Sequence, residues 1–279
     1  ASSTLLSDST YFAQVKARNG DGIDSGYTGL GSTSTLARTP GISSLAVLAT
    51  EQIRLTGFDT SNNPVYTKYS IAVSSSNFNG TTSYVQSDGS LSGGAYWQVG
   101  TNWNGQVVSG LSANTTYYVK VKARNNTNVE SIFGVTTGSS TWAESPNSLT
   151  VTSVSSETVN LSYANSGAAR YRVERSTDGS VVWVWISSAA GLSVSDTGLT
   201  SATSYYYRVT GLNWADLRNS TYSTVIGSVT LPAAPDNFTA ASVWRTSITW
   251  SWSDVTGEFG YRVYQATSNL SVGNVGANA

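Results

Sequence analysis

The chain contains no cysteine, no histidine and no methionine. Those absences exclude a disulfide framework, a Cys/His zinc site and a Ser-His-Asp triad together. Charge is scarce as well. Charged residues make up 11 %, with 15 basic against 16 acidic and a net charge of −1, where an ordinary soluble chain carries about 25 %. A nucleic-acid binder needs a basic excess to displace counterions, so that partner class is excluded. No apolar run approaches the ~20 residues of a membrane span. No charged-then-apolar leader opens the chain, and its first residue is Ala1 rather than Met, which points to a processed product or a segment of something longer. What is present is 47 Ser and 35 Thr, which keep a surface wet without charge, and nine Trp, sixteen Tyr and 39 % apolar residues. A disordered chain cannot reach that hydrophobicity. Buried cores are expected.

Short alternating runs dominate, broken by clusters of Gly, Asn, Asp and Ser. Val119–Arg124, Tyr171–Arg175 and Ile248–Trp252 each alternate apolar with polar residues, the period of a half-buried strand. β-branched and aromatic side chains fill them, and no stretch has a convincing helical period. The class is all-β. Repetition adds more. Tyr117 follows Leu111 by six residues, with Val121 and Ala123 beyond it. Leu199 and Tyr205 repeat the interval before Val209 and Gly211, and Leu5 and Tyr11 repeat it before Val15 and Ala17.

This Leu…Tyr…Val-x-Ala spacing resembles the E–F corner and F strand of fibronectin type III domains. The resemblance implies tandem fibronectin type III / immunoglobulin-like antiparallel sandwiches, with Tyr11, Tyr117 and Tyr205 as corner tyrosines whose hydroxyls bond back to loop backbone. The family often carries Pro two residues after the Leu; Ser7, Ala113 and Ser201 stand there instead. Trp250 and Trp252 on a B strand and the Pro-bearing linkers extend the resemblance over the whole chain. It implies a fold and no site.

The linkers Thr39-Pro40-Gly41, Ser145-Pro146 and Pro232–Pro235 divide the chain. Residues 40–145 read as one complete domain with an insertion at 74–105, and residues 146–233 as another. The ends read as halves. Residues 1–39 hold only a corner, an F strand and a G strand; residues 234–279 hold only A, B and C strands. The corner tyrosines recur at about one domain length (~100 residues), and joining residue 279 to residue 1 of another copy keeps that spacing. One composite sandwich shared between copies is therefore expected, with Leu5, Tyr11, Val15, Trp250, Trp252, Tyr261 and Val263 at its interface. A peptide bond in a longer repeat chain or non-covalent strand addition would both produce it.

Candidate chemistry is sparse. Asn19–Asp24 faintly matches a calcium loop, with Asp21 and Asp24 as its carboxylates, although the F–G hairpin turn explains the same Gly and Asn residues. Carboxylates stand singly. A glycosidase needs two in one cleft, for which only a long-range pair such as Glu144 with Glu174 offers itself. No cofactor and no catalysis are expected. Trp97 and Trp103 in the insertion are the candidate glycan platforms, because loops lie at the surface; Trp183-Val184-Trp185 sets two more indoles on one strand face, where core or domain-interface packing is favoured over stacking on a sugar. Asn-x-Ser/Thr sequons occur at Asn79, Asn114, Asn125, Asn160, Asn219, Asn237 and Asn269. The expected function is a structural subunit of an extracellular filament or cell-surface fibre, a head-to-tail homopolymer with itself as partner. The rival is a glycan-binding adhesin or an accessory module of a polysaccharide-processing surface protein.

Overall fold

In the computed structural model, residues 5–213, 220–268 and 271–276 are described. The chain divides into two units, residues 1–143 with 213–218, and residues 144–212 with 219–279. Both are built almost wholly of antiparallel strands.

The first unit opens with β1 (Thr10–Val15) and β2 (Thr28–Ser34), a two-stranded ribbon. A sandwich follows. One sheet is β3 (Gly41–Val47), β4 (Ile53–Asp59) and β9 (Val107–Val108). The facing sheet centres on β5 (Lys68–Ser74) and β10 (Thr116–Arg124), edged on one side by β11 (Thr137–Ser140). The insertion contributes β6 (Ser83–Val85), β7 (Leu91–Ser92), β8 (Gln98–Val99) and a single helical turn, α1 (Gly100–Trp103). Strand alternation places the core. On β10, Val119, Val121 and Ala123 point inward, while Lys120, Lys122 and Arg124 stay partly exposed. Ile53, Leu55, Ile71 and Val73 meet them from the other strands. Gly100 lets α1 lie close, since a Cβ there would come within 2.7 Å of Thr60 and 3.3 Å of Tyr69.

The second unit contains a plain seven-stranded sandwich. β12 (Thr150–Val154), β13 (Thr158–Ser162) and β16 (Ser193–Thr197) form three strands. β14 (Arg170–Ser176), β15 (Val184–Ala189), β17 (Ser204–Leu212) and β18 (Ile226–Val229) form the four-stranded sheet, in the order β15-β14-β17-β18. Val159, Leu161, Val173, Tyr207 and Val209 fill the space between them. The three-on-four antiparallel arrangement is that of a fibronectin type III sandwich.

Beyond it lie β19 (Thr239–Val243) paired with β20 (Ile248–Ser251), and β21 (Gly260–Tyr264) paired with β22 (Ser271–Gly276). These two pairs copy the first half of the preceding sandwich in detail. Thr150 pairs Ser162 and Thr239 pairs Ser251, each with a hydroxyl contact of 3.0 Å. A register shift follows Val173 on β14 and its counterpart Val263 on β21. The β1–β2 ribbon likewise copies the second half of a sandwich: Thr10 pairs Ser34 as Thr116 pairs Ser140, with hydroxyl contacts of 2.8 and 2.7 Å.

Candidate assembly site

The corner is built the same way three times. Tyr11 Oη accepts from Leu6 N at 2.7 Å, Tyr117 Oη from Ser112 N at 2.8 Å, and Tyr205 Oη from Thr200 N at 3.0 Å. Asp8, Asn114 and Ala202, three residues before each tyrosine, share a left-handed backbone with φ of 45°, 47° and 49°. A threonine on the following strand locks the loop. Thr35, Thr141 and Thr230 each accept from the backbone N–H of Ser9, Thr115 and Thr203 through Oγ1. The same hydroxyls donate to Leu6 O, Ser112 O and Thr200 O at 2.6–2.7 Å. The sequence reading missed these threonines. Removing the buried hydroxyl of Tyr205 orphans the Thr200 N–H. Tyr205→Phe is accordingly expected to lower unfolding stability by about 1–3 kcal/mol in urea denaturation.

Identical local structure makes burial comparable position by position. The corner leucines Leu111 and Leu199 are 4 % and 5 % exposed, whereas Leu5 is 51 % exposed. Val209 is fully buried on β17; its counterpart Val15 on β1 lies open. Leu161 on β13 is completely buried, and its counterpart Trp250 on β20 is 40 % exposed. Between the β19–β20 and β21–β22 pairs runs an open groove of about 1190 Å³, walled by Ile248, Trp250, Trp252 and Val263. Its floor is pre-ordered: Phe238 stacks on Trp250 at 4.9 Å, and Trp252 meets Tyr261 edge-on at 5.3 Å. Tyr261 Oη is held by Val255 N at 2.6 Å and Asp254 at 2.8 Å. Burial and the Asp254 carboxylate both raise its pKa. Leu5, Tyr11 and Val15 thus lie on the corner and the β1–β2 ribbon, and Trp250, Trp252, Tyr261 and Val263 on or beside the strand pairs β19–β20 and β21–β22.

Other expected sites read differently in three dimensions. Trp103 corrects the glycan expectation: it is completely buried in the first core, and its Nε1–H donates to Tyr69 O at 2.9 Å. The insertion folds back as α1 and delivers the indole inward. Trp97 is half-buried, with the Arg124 guanidinium 4.6 Å from its ring centroid and Lys122 Nζ at 5.4 Å, so cations cover the ring. Trp183 carries Arg208 at 4.1 Å, and Trp185 carries Arg172 at 5.5 Å. Both arginines pair with the buried Glu174, at 2.6 and 2.9 Å, and Tyr222 Oη donates to it at 3.1 Å. That carboxylate is committed to a structural ladder and is not free for a pair with Glu144. Asp24 pairs with Lys16 and Arg18, and these bonds, Arg18 first, lower its pKa. The expected calcium carboxylate is thus held by two cations, while Asp21 is exposed at the turn. Among the described residues no group of three or more Asp or Glu could hold a metal. No described helix is long and apolar enough to cross a membrane. Of the sequons, Asn79 and Asn237 are exposed, Asn114 and Asn160 half-buried and Asn125 buried; Asn219 and Asn269 lie outside the described residues.

No protein-family model matches the chain, and no curated protein matches it. Solved structures do. A two-domain fibronectin type III segment of chicken tenascin is 13 % identical, covering 69 % of this chain and all of that one, with a TM-score of 0.42. The FN1–FN3 domains of chicken CNTN1 are 19 % identical, covering 81 % of this chain and 79 % of that one, with a TM-score of 0.34. The sixth fibronectin type III domain of a human fibronectin type III domain containing protein is 24 % identical over 34 % of this chain and 92 % of that one, with a TM-score of 0.30. The chain consists of tandem fibronectin type III-like sandwiches. Strand order and the thrice-built corner in this structure carry that statement.

Proposed function

We propose that the chain is a non-enzymatic structural subunit of an extracellular filament or surface fibre, joined head-to-tail through a composite sandwich. Residues 234–279 of one copy supply the A, B and C strands, with β22 alongside, and residues 1–39 of the next supply the F and G strands. The domain division that follows is a half at 1–39, complete sandwiches at 40–145 and 146–233, and a half at 234–279. One observation carries the reading: positions buried in both complete sandwiches are exposed in the two halves, and the halves hold different strands of the same fold. Open strand edges invite pairing, and strand addition satisfies their main-chain groups while side-chain pockets fix the register. Burying half a core gives an obligate-type interface, above ~2,000 Å². Because donor and acceptor differ, the contact is heterologous and propagates. A surface wet with hydroxyls and poor in charge suits a fibre exposed to solvent.

Sedimentation velocity over a broad concentration range tests this. The expected result is a size distribution that grows with concentration while denaturing electrophoresis shows a single 29.4 kDa chain. A monomer at every concentration would contradict it.

A further inference from the structure

An asparagine lies eight residues beyond each corner tyrosine: Asn19, Asn125 and Asn213. Asn125 does two jobs. Its Oδ1 accepts from Thr127 N at 3.2 Å and Val129 N at 2.8 Å, which closes the turn after β10. Its Nδ2 donates to Thr35 O at 3.0 Å, fastening residues 1–39 to the sandwich that follows them. Asn125 is buried in doing so. Asp8 strengthens that junction from the corner side, where its buried carboxylate accepts from Thr67 Oγ1 at 2.5 Å and Asn126 N at 2.7 Å. The bond recurs: Asn213 Nδ2 donates to Thr141 O at 3.3 Å. Both acceptors are the corner threonines, so donor and acceptor each occur at a fixed place in the repeat.

Among the described residues three such donors and three such acceptors occur, and two pairs are made. The remaining donor is Asn19 and the remaining acceptor is Thr230 O. Asn19 is already set for the role. Its Oδ1 accepts from Asp21 N at 3.1 Å and Ile23 N at 2.8 Å, the same turn that aims the Asn125 amide, yet its side chain is exposed. Thr230 is locked in its corner like Thr35 and Thr141. Asn125 bonds the threonine of the domain just before its own. In a composite sandwich that receives β1 and β2, the domain just before is the one ending at β18, which carries Thr230.

Resting on the composite-sandwich reading, we infer that Asn19 of the incoming copy donates its Nδ2 hydrogen to the Thr230 carbonyl of the receiving copy. The partner is a second copy of this chain, and the bond fixes the new junction as Asn125 fixes the existing one. The core of the composite sandwich supplies adhesion; Asn19 supplies the register between that sandwich and its neighbour.

The test uses the full-length chain, 15N-labelled, at dilute and at associating concentrations. Two readouts are taken together: iodide quenching of tryptophan fluorescence, and hydrogen exchange of the Asn19 side-chain amide. Shielded tryptophans with exchange of one Asn19 amide hydrogen slowed at least about tenfold are expected. Asn19→Asp keeps the turn acceptor and removes the donor, and it should weaken association about tenfold, as Asn19→Ala does. Shielded tryptophans with an Asn19 amide that exchanges as in the dilute chain would overturn the clamp and leave the composite sandwich standing. Wild-type association by Asn19→Asp alongside weakened association by Asn19→Ala would likewise reduce Asn19 to a turn residue. Tryptophans quenched equally at all concentrations would overturn both.

Discussion

Replacing Trp250 with serine is expected to stop the chain from elongating while leaving both complete sandwiches folded. The indole lies on the open face of β20, stacked on Phe238, at the place that Leu161 occupies inside a finished core. Truncating a central aromatic anchor costs on the order of 2–4 kcal/mol at an interface, so association weakens about 30-fold or more. The heterologous geometry makes a sharper demand. A Trp250→Ser chain loses its acceptor groove and keeps a sound donor ribbon. A chain carrying Leu5→Ser with Val15→Ser loses the donor and keeps the groove. Each alone should remain monomeric, and an equimolar mixture should stop at dimers. Light scattering with mass measurement reads this directly. Longer species from the mixture would mean that the exposed apolar faces are merely adhesive.

The second large effect is on stability. Trp103→Ala is expected to destabilise the first sandwich by about 3–5 kcal/mol, the cost of removing a fully buried aromatic side chain and leaving a cavity. The lost indole also orphans the Tyr69 carbonyl it caps, which adds to the penalty. Trp97→Ala, whose ring lies half-exposed beneath Arg124, should cost far less. Chemical denaturation with separate probes for the two units would show the Trp103 loss confined to the first. Equal, small losses at both positions would contradict the placement of the insertion.

The corner was legible because its leucine and tyrosine lie on one short loop, where six residues fix their geometry. Strand runs were legible through their period of two. The threonines Thr35, Thr141 and Thr230 were not: they recur 24, 24 and 25 residues beyond their tyrosines, but in a chain with 35 Thr and 47 Ser that spacing singles out no one hydroxyl. Trp103 was misread for another reason: a Ser-, Gly- and Asn-rich insertion reads as surface loop, and only Gly100 hints that a turn packs tightly there. For the indoles Trp183 and Trp185 the sequence favours core or interface packing over sugar stacking, and it does not show that Arg172 and Arg208 lie over them. Such pairs depend on strand register, which a linear pattern does not carry. The sequence counts different strands at the two ends, and the exposure of Leu5, Val15 and Trp250 in the folded chain is the physical motive for the pairing proposed above.

Register also gives the most direct test of the composite sandwich. In the second unit β17 pairs β14 with Arg208 opposite Glu174 and Val209 opposite Val173, and in the first β10 pairs β5 with Val121 opposite Ile71. Carried over to the proposed composite sandwich, the same register would set Val15 of one copy opposite Val263 of another, and Gln14 opposite Tyr264. The chain has no cysteine, so the double variant Gln14→Cys, Tyr264→Cys reports on this contact alone. After oxidation, denaturing non-reducing electrophoresis is expected to show a ladder at multiples of 29.4 kDa that collapses on reduction. A single band at the monomer mass, with the two cysteines free or joined within one chain, would contradict head-to-tail strand complementation.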